Sequence, residues 1–88
     1  MRIDVFLKLS RLAPRRSIAQ KLCDSGAITL NGVRAKSARE VRAGDEITIR
    51  FTDRIITARV TEIPSRPPSR AAASTLYTIL EEQPIPLI

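Results

Sequence analysis

Apolar residues recur at helical spacing through the first quarter of the chain, alternate through the middle, and return to an ambiguous pattern after a proline-rich break. Val5, Leu9 and Leu12 fall at i, i+4, i+7 with Phe6 beside them, which predicts a helix over Ile3–Leu12. Asp4 suits the positive end of that helix and is placed to pair with Lys8 one turn on. Pro14 is expected to stop it. A second helix is predicted to start between Pro14 and Ser17, with Ser17 and Gln20 at capping-box spacing and Ile18, Ala19, Leu22 and Cys23 facing inward. Gly26 stands where a left-handed C-cap is wanted.

Ala27–Leu30 then reads as a strand, Asn31-Gly32 as a tight hairpin turn and Val33–Lys36 as the return arm. After the Ala43-Gly44-Asp45 turn, Glu46–Phe51 alternates with Ile47, Ile49 and Phe51 inward, and Ile55–Ile63 reads as one more strand. Pro64–Ser69 breaks all periodicity. Beyond it, Ala72, Ala73, Leu76, Tyr77 and Leu80 recur at helical spacing with Ser69 as N-cap, although Thr75–Leu80 is also β-prone. Pro84 and Pro86 end that element, and 85–88 is expected to be loose. The organisation is therefore a folded body over 1–63, a linker over 64–70 and a C-terminal segment over 71–88. The fold class is α+β: two N-terminal helices on a small, mostly antiparallel sheet, followed by a helical or extended segment.

Charge changes this picture most. Met1–Arg42 holds ten Lys or Arg against three acids, a net +7, whereas Ala43–Ile88 carries five against six, a net −1. Charge confined to one half of a small domain makes a directed field whose commonest partner is a phosphate backbone. Arg2, Lys8, Arg11, Arg15, Arg16, Lys21, Arg34 and Lys36 are the candidate RNA contacts, and the excess of Arg over Lys suits two-pronged grip of phosphate. Aromatic residues make up only 3% of the chain, which argues against a row of stacking rings.

Catalytic chemistry has little to work with. There is no histidine, Ser10, Ser17 and Ser25 lack a base partner, and Glu40, Asp45 and Glu46 flank a turn that needs polar residues anyway. One cysteine, Cys23, on the apolar side of the second helix excludes an intramolecular disulfide and makes a transition-metal site untenable; no metal, cofactor or enzymatic activity is expected. With no secretory or membrane-spanning stretch, a cytoplasmic location is expected.

Three runs of residues carry a resemblance. Arg15-Arg16-Ser17-x-Ala19-x-x-Leu22, Gly26-x-Ile28-x-Leu30-Asn31-Gly32 and Val41-x-x-Gly44-Asp45-x-Ile47 resemble the RNA-binding domain of ribosomal small-subunit protein four, the S-four domain or alpha-L motif. The opening Met1-Arg2-Ile3-Asp4-x-Phe6-Leu7-Lys8-x-Ser10-Arg11-Leu12 and the closing Leu76-Tyr77-Thr78-Ile79-Leu80 are similar to the bacterial ribosome-associated quality-control P factors, a family built on that domain. The resemblance implies a monomeric, non-catalytic protein on a large ribosomal subunit obstructed by peptidyl-tRNA. Its partners there would be large-subunit rRNA, the P-site tRNA and the quality-control H factor, whose alanine tailing it would support. Arg2 and Arg16 match the family's basic positions and would be the principal rRNA contacts, with Lys8, Arg11 and Arg15 in support. Val5 and Pro14 depart from the family pattern and remove charge near that face. Two other readings compete: a heat-shock-type ribosome-recycling factor with the same domain, and a basic adaptor meeting an acidic protein. The mildly acidic Glu81-Glu82 tail favours the quality-control reading over the heat-shock one.

Overall fold

Ile3, Phe6 and Leu7 lie on one side of a helical turn, and this stripe nucleates the core. The computed structural model describes residues 1–86, and helix α1 spans Ile3–Leu9 with Ile3, Asp4, Phe6 and Leu7 buried. The expected Val5–Leu9–Leu12 face is thus replaced: Val5 and Leu9 are half-buried, and Leu12 lies beyond the helix. The helix is aimed from its N-terminus, where Arg2 forms an isolated β-bridge with Glu40 and the Ile3 N–H donates to the Arg39 carbonyl at 2.8 Å. That tie turns Ile3 inward and sets the rotation of every residue after it. Pro14 does not stop α1 either. The helix closes earlier, at Ser10, and Arg11 follows in the left-handed region with φ 64°.

Helix α2 spans Arg16–Asp24 and buries Ala19 and Cys23, with Ile18 and Leu22 half-buried. Arg15 is its N-cap and supplies no side-chain bond, so the Ser17–Gln20 capping box does not form. Gln20 is used elsewhere. Gly26, at φ +80°, ends the helix while the Ala27 N–H returns to the Leu22 carbonyl at 2.9 Å, a glycine C-cap as expected.

The sheet consists of β1 (Ile28–Leu30), β2 (Val33–Arg34), β3 (Glu46–Arg50), β4 (Arg54–Val60) and β5 (Tyr77–Pro84), in the order β2-β1-β3-β4-β5 with every neighbouring pair antiparallel. Asn31 (φ 52°) and Gly32 (φ 82°) have the two positive angles that a type I′ hairpin requires. Asn31 also ties this hairpin to the next strand: its Oδ1 accepts from the Glu46 N–H at 2.9 Å and its Nδ2 donates to Asp45 at 3.1 Å. Ile28, Leu30, Ile47 and Ile49 point into the core with Phe6, Leu7 and Val60, while Thr48 and Thr57 face outward and meet at 3.3 Å.

The C-terminal segment corrects the helical expectation. Ser69 does cap a helix, its Oγ accepting from the Ala72 N–H at 3.2 Å, but α3 covers only Arg70–Ala73. The Ser74 and Thr75 hydroxyls donate back to the Ala71 and Ala72 carbonyls, a 3₁₀ turn follows over Ser74–Leu76, and the chain then becomes β5. Pairing with β4 outweighs the helical spacing, because it supplies a ladder from Arg54↔Pro84 to Val60↔Tyr77 with one bulge at Thr57/Ala58. Arg54 sits over the Phe51 ring at 4.9 Å, and its Nε comes within 3.4 Å of Glu82 without hydrogen-bond alignment. The Ile85 N–H donates to the Asp53 carbonyl at 2.9 Å, so the expected loose tail is tied at its start. Leu87 and Ile88 lie outside the described residues.

Two glycine substitutions separate backbone strain from packing. Gly32→Ala meets no heavy atom within 4 Å and should cost only the left-handed penalty of about 1–2 kcal/mol. Gly26→Ala brings its new Cβ to 3.3 Å from the Arg34 guanidinium and should cost more in urea denaturation.

Candidate nucleic-acid interface

Asp4 is wholly buried among residues that carry mostly positive charge. Its carboxylate accepts from the Val5 N–H at 2.8 Å, from Arg2 in a two-pronged pair (Nε to Oδ1 and Nη2 to Oδ2, both 3.1 Å), from Arg16 Nε at 3.3 Å and from Gln20 Nε2 at 3.1 Å. Arg2 and Arg16 thus rest on the same Oδ2 atom, although fourteen positions separate them in the sequence. Their side chains remain 47% and 48% exposed over a carboxylate at 0%. The β-bridge at Arg2 fixes one side of the pair, and the first residue of α2 fixes the other.

Burial alone would raise the Asp4 carboxyl. The hydrogen bonds from Gln20, Arg2 and Arg16, with the Arg16 charge, outweigh burial and hold it below its ordinary 3.8. The anion is therefore permanent under ordinary conditions. Its two cations are not equally engaged. Arg16 uses only its Nε inward, so both terminal nitrogens of its fork are left for an outside acceptor. Arg2 uses Nε and Nη2 and keeps Nη1. A carboxylate beneath two half-exposed guanidinium groups neutralises part of their mutual repulsion and presents their remaining donors outward, a geometry suited to phosphate oxygens.

All eight expected contacts are exposed, but they do not form one patch. Arg2 and Arg16 form the centre, with Arg15 adjoining as the α2 N-cap. Along α2, Arg16, Gln20 and Asp24 follow at i, i+4, i+8, a run of about 12 Å. At its far end Arg34 and Lys36 line a concavity with Cys23, Asp24, Ser37 and Ala38. Arg34 is partly committed there, because its Nη2 donates to the Asp24 carbonyl at 2.8 Å and covers the end of the helix. Lys8 and Arg11 form a third group at the opposite end of α1. Lys21 shares none of these clusters.

Sequence reasoning missed Asp4 and Gln20. Asp4 does not pair with Lys8; it faces inward, and Gln20 reaches across from α2 to it. The available signal was an acid in a segment with only three, at a position sharing the Ile3–Phe6–Leu7 side. Cys23 is buried, and burial followed by the Asp4 and Asp24 charges pushes its thiol up, which keeps it protonated and unreactive. Among the described residues no group of three or more acidic or sulfur ligands gathers, and no helix is long and apolar enough to cross a membrane.

Helices α1 and α2 with the Asn31-Gly32 hairpin define an S4 domain, and the S4 domain family matches residues 1–47. Over nearly its whole length the chain belongs to the family of RQC P-site tRNA stabilizing factors. It is 43% identical to the protein of that name from Bacillus subtilis (strain 168), covering 94% of this chain and 95% of the relative. It is 44% identical to the one from Halalkalibacterium halodurans, covering 97% and 96%. Among solved structures, Vibrio cholerae Heat Shock Protein 15, described as trimeric, superposes with a TM-score of 0.81 at 30% identity, covering 90% of this chain and 80% of that one. The solution structure of hypothetical protein HP1423 gives 0.78 at 34% identity, covering 92% and 98%.

Asp4→Asn should destabilise the domain by about 1–3 kcal/mol at neutral pH, since an amide offers fewer acceptors to a buried set of donors. A carboxyl held below its ordinary value contributes stability that is complete above that value and lost as pH falls through the lowered one. Wild-type stability should therefore lose this contribution only in acid, and urea titrations of Asp4→Asn should lack that component.

Proposed function

We propose that this protein is a non-catalytic factor of ribosome-associated quality control, which binds a large ribosomal subunit obstructed by peptidyl-tRNA and holds the P-site tRNA. The observation that carries this reading is the Arg2–Asp4–Arg16 cluster: two guanidinium groups, fixed from beneath, with free donors facing solvent on an S4 domain. Relatives above 40% identity over nearly the whole chain bear the name RQC P-site tRNA stabilizing factor, which supports the assignment.

The mechanism is positional. Phosphate contacts fix the register and orientation of the protein, and the shape of the folded RNA supplies specificity. Arg2 and Arg16 take the rRNA backbone as principal contacts; Arg15, Lys8, Arg11 and Lys21 support them, and Arg34 and Lys36 extend the footprint along α2. The RNA-binding unit is 1–63, and the C-terminal segment completes its sheet through β5, Tyr77–Pro84. Acting in the cytoplasm as a monomer without cofactor, it keeps the tRNA in place while the quality-control H factor adds alanine to the nascent chain.

The likeness to Heat Shock Protein 15 supports a second reading, a ribosome-recycling factor on subunits that carry nascent chains. Alanine tailing in a deletion strain, restored or not by this protein, separates the two. A protein-interaction adaptor would keep its partners after RNase digestion of a pull-down.

Arg2→Ala and Arg16→Ala should each abolish co-sedimentation with large subunits while the domain stays folded, since Asp4 keeps its other partners. Normal sedimentation of both would remove the reading. Arg16→Lys is the sharper case. One ammonium can serve Asp4 or a phosphate but not both, so affinity should fall roughly tenfold with charge unchanged, about one charge-assisted hydrogen bond. The slope of log affinity against log salt should fall by about one on Arg15→Ala, a supporting contact whose loss leaves binding measurable.

A further inference from the structure

Two features of the sequence left unused by the arginine pair come together beyond the end of α1. Pro14 and Pro67-Pro68 of the linker line one notch with Lys8, Leu9 and Arg11. Its volume is about 220 Å³. Drug-sized ligands occupy pockets of roughly 300–1,000 Å³, so this one takes a single small ring system. The linker residues lie outside the segment matched as the S4 domain, so the chain completes the notch with something the domain itself lacks.

The chemistry of the lining is specific. Three proline rings give rigid apolar faces whose φ is already fixed, so no rotamer freedom is lost when a flat group settles on them. Lys8 and Arg11 stand exposed among them as cations. Arg11 is held there at φ 64°, one of two non-glycine residues with a positive φ among those described. Asn31, the other, is a residue that tolerates the left-handed region in a turn; arginine has no such preference, and glycine would suit the position better. The backbone strain is kept with a cation at that spot. The chain has few aromatic rings, and Phe6 is buried while Phe51 and Tyr77 are half-buried, so a base that stacks on this protein must find another platform.

We infer that this notch is a subsite for one unpaired ribonucleotide, with the base against Pro14, Pro67 and Pro68 and its phosphate between Lys8 and Arg11. A paired base is covered on both faces by its neighbours and cannot enter, whereas bases splayed from loops and bulges are free to stack on a protein surface. The inference rests on the RNA-binding reading above and adds to it a preference that the arginine pair cannot supply, because phosphates alone do not distinguish paired from unpaired nucleotides.

The test uses two synthetic RNA hairpins with the same stem, one carrying a single bulged 2-aminopurine and one fully paired. The full-length protein should bind the bulged hairpin about fivefold more tightly, in the range of a modest stacking contact, and should change the 2-aminopurine emission. The double variant Pro67→Ser/Pro68→Ser should lose that preference and the emission change while binding the paired hairpin as before. Arg11→Gly, whose backbone suits the positive φ, should stay folded and weaken the bulged hairpin more than the paired one, since it removes both a phosphate contact and part of the notch. Arg2→Ala should weaken both hairpins alike. Equal wild-type affinity for the two RNAs, or a preference that survives the proline substitutions, overturns the subsite and leaves the RNA-binding reading standing. Binding to neither hairpin nor to large subunits overturns both. Proline-dependent binding of polyglutamate with no preference between the hairpins would show an acidic-peptide site and overturn the nucleotide assignment.

Discussion

A buried carboxylate holding two arginines is the constraint on which the rest of this domain depends. An ionised Asp4 cannot be taken out of water unless its lone pairs are met, and here a backbone N–H, two guanidinium groups and one amide meet them. Those donors come from three places: the extended N-terminus, the first turn of α1 and one face of α2. Each must be held at its station for the set to close. The β-bridge to Glu40, the packing of Ile3, Phe6 and Leu7, and the seating of Ala19 and Cys23 serve that closure as much as they serve stability. The arginines, conversely, owe their direction to an acid that never reaches the surface.

The division of charge follows the division of architecture. The basic half builds the helical pair and first hairpin, and the nearly neutral half builds strands β3, β4 and β5. The sheet is a support. Its inward rows give the helices a floor of Ile28, Leu30, Ile47 and Ile49, and its outward rows carry threonines. β5 lengthens this support at the edge farthest from β2 and carries Glu81 and Glu82, so the field of the basic half is not diluted by like charge beneath it.

Much of this was legible in the sequence, and the exceptions share one cause. The Asn31-Gly32 hairpin, the Gly26 cap and the alternation of Ile47 and Ile49 are local, each written in residues that touch their chain neighbours. The rotation of α1 is not local. Two apolar stripes compete on that helix, and the choice between them is made by residues 39–40 pairing with residues 2–3. The fate of Ala72–Leu80 is similar, since its helical spacing gives way to β4 only because β4 has a free edge. The arginines could be read as a cluster from composition alone. Their convergence on Asp4 could not, because the bond between Asp4 and Gln20 spans two helices whose relative position no short window encodes.

The course of the N-terminus has a practical consequence for handling the protein. Met1 accepts from the Val41 N–H at 2.9 Å, and Arg2 follows directly in its bridge. Residues added ahead of Met1 by an affinity tag would leave the domain beside the guanidinium pair, where they could shield it or, if acidic, compete for it. The Ile85 end is tied instead to Asp53 and lines a cavity with Leu22, Ser25 and Gly26 at the end of α2. A fusion made there would leave from the α2 end that Arg34 covers, away from the first residue of the helix, where Arg16 stands.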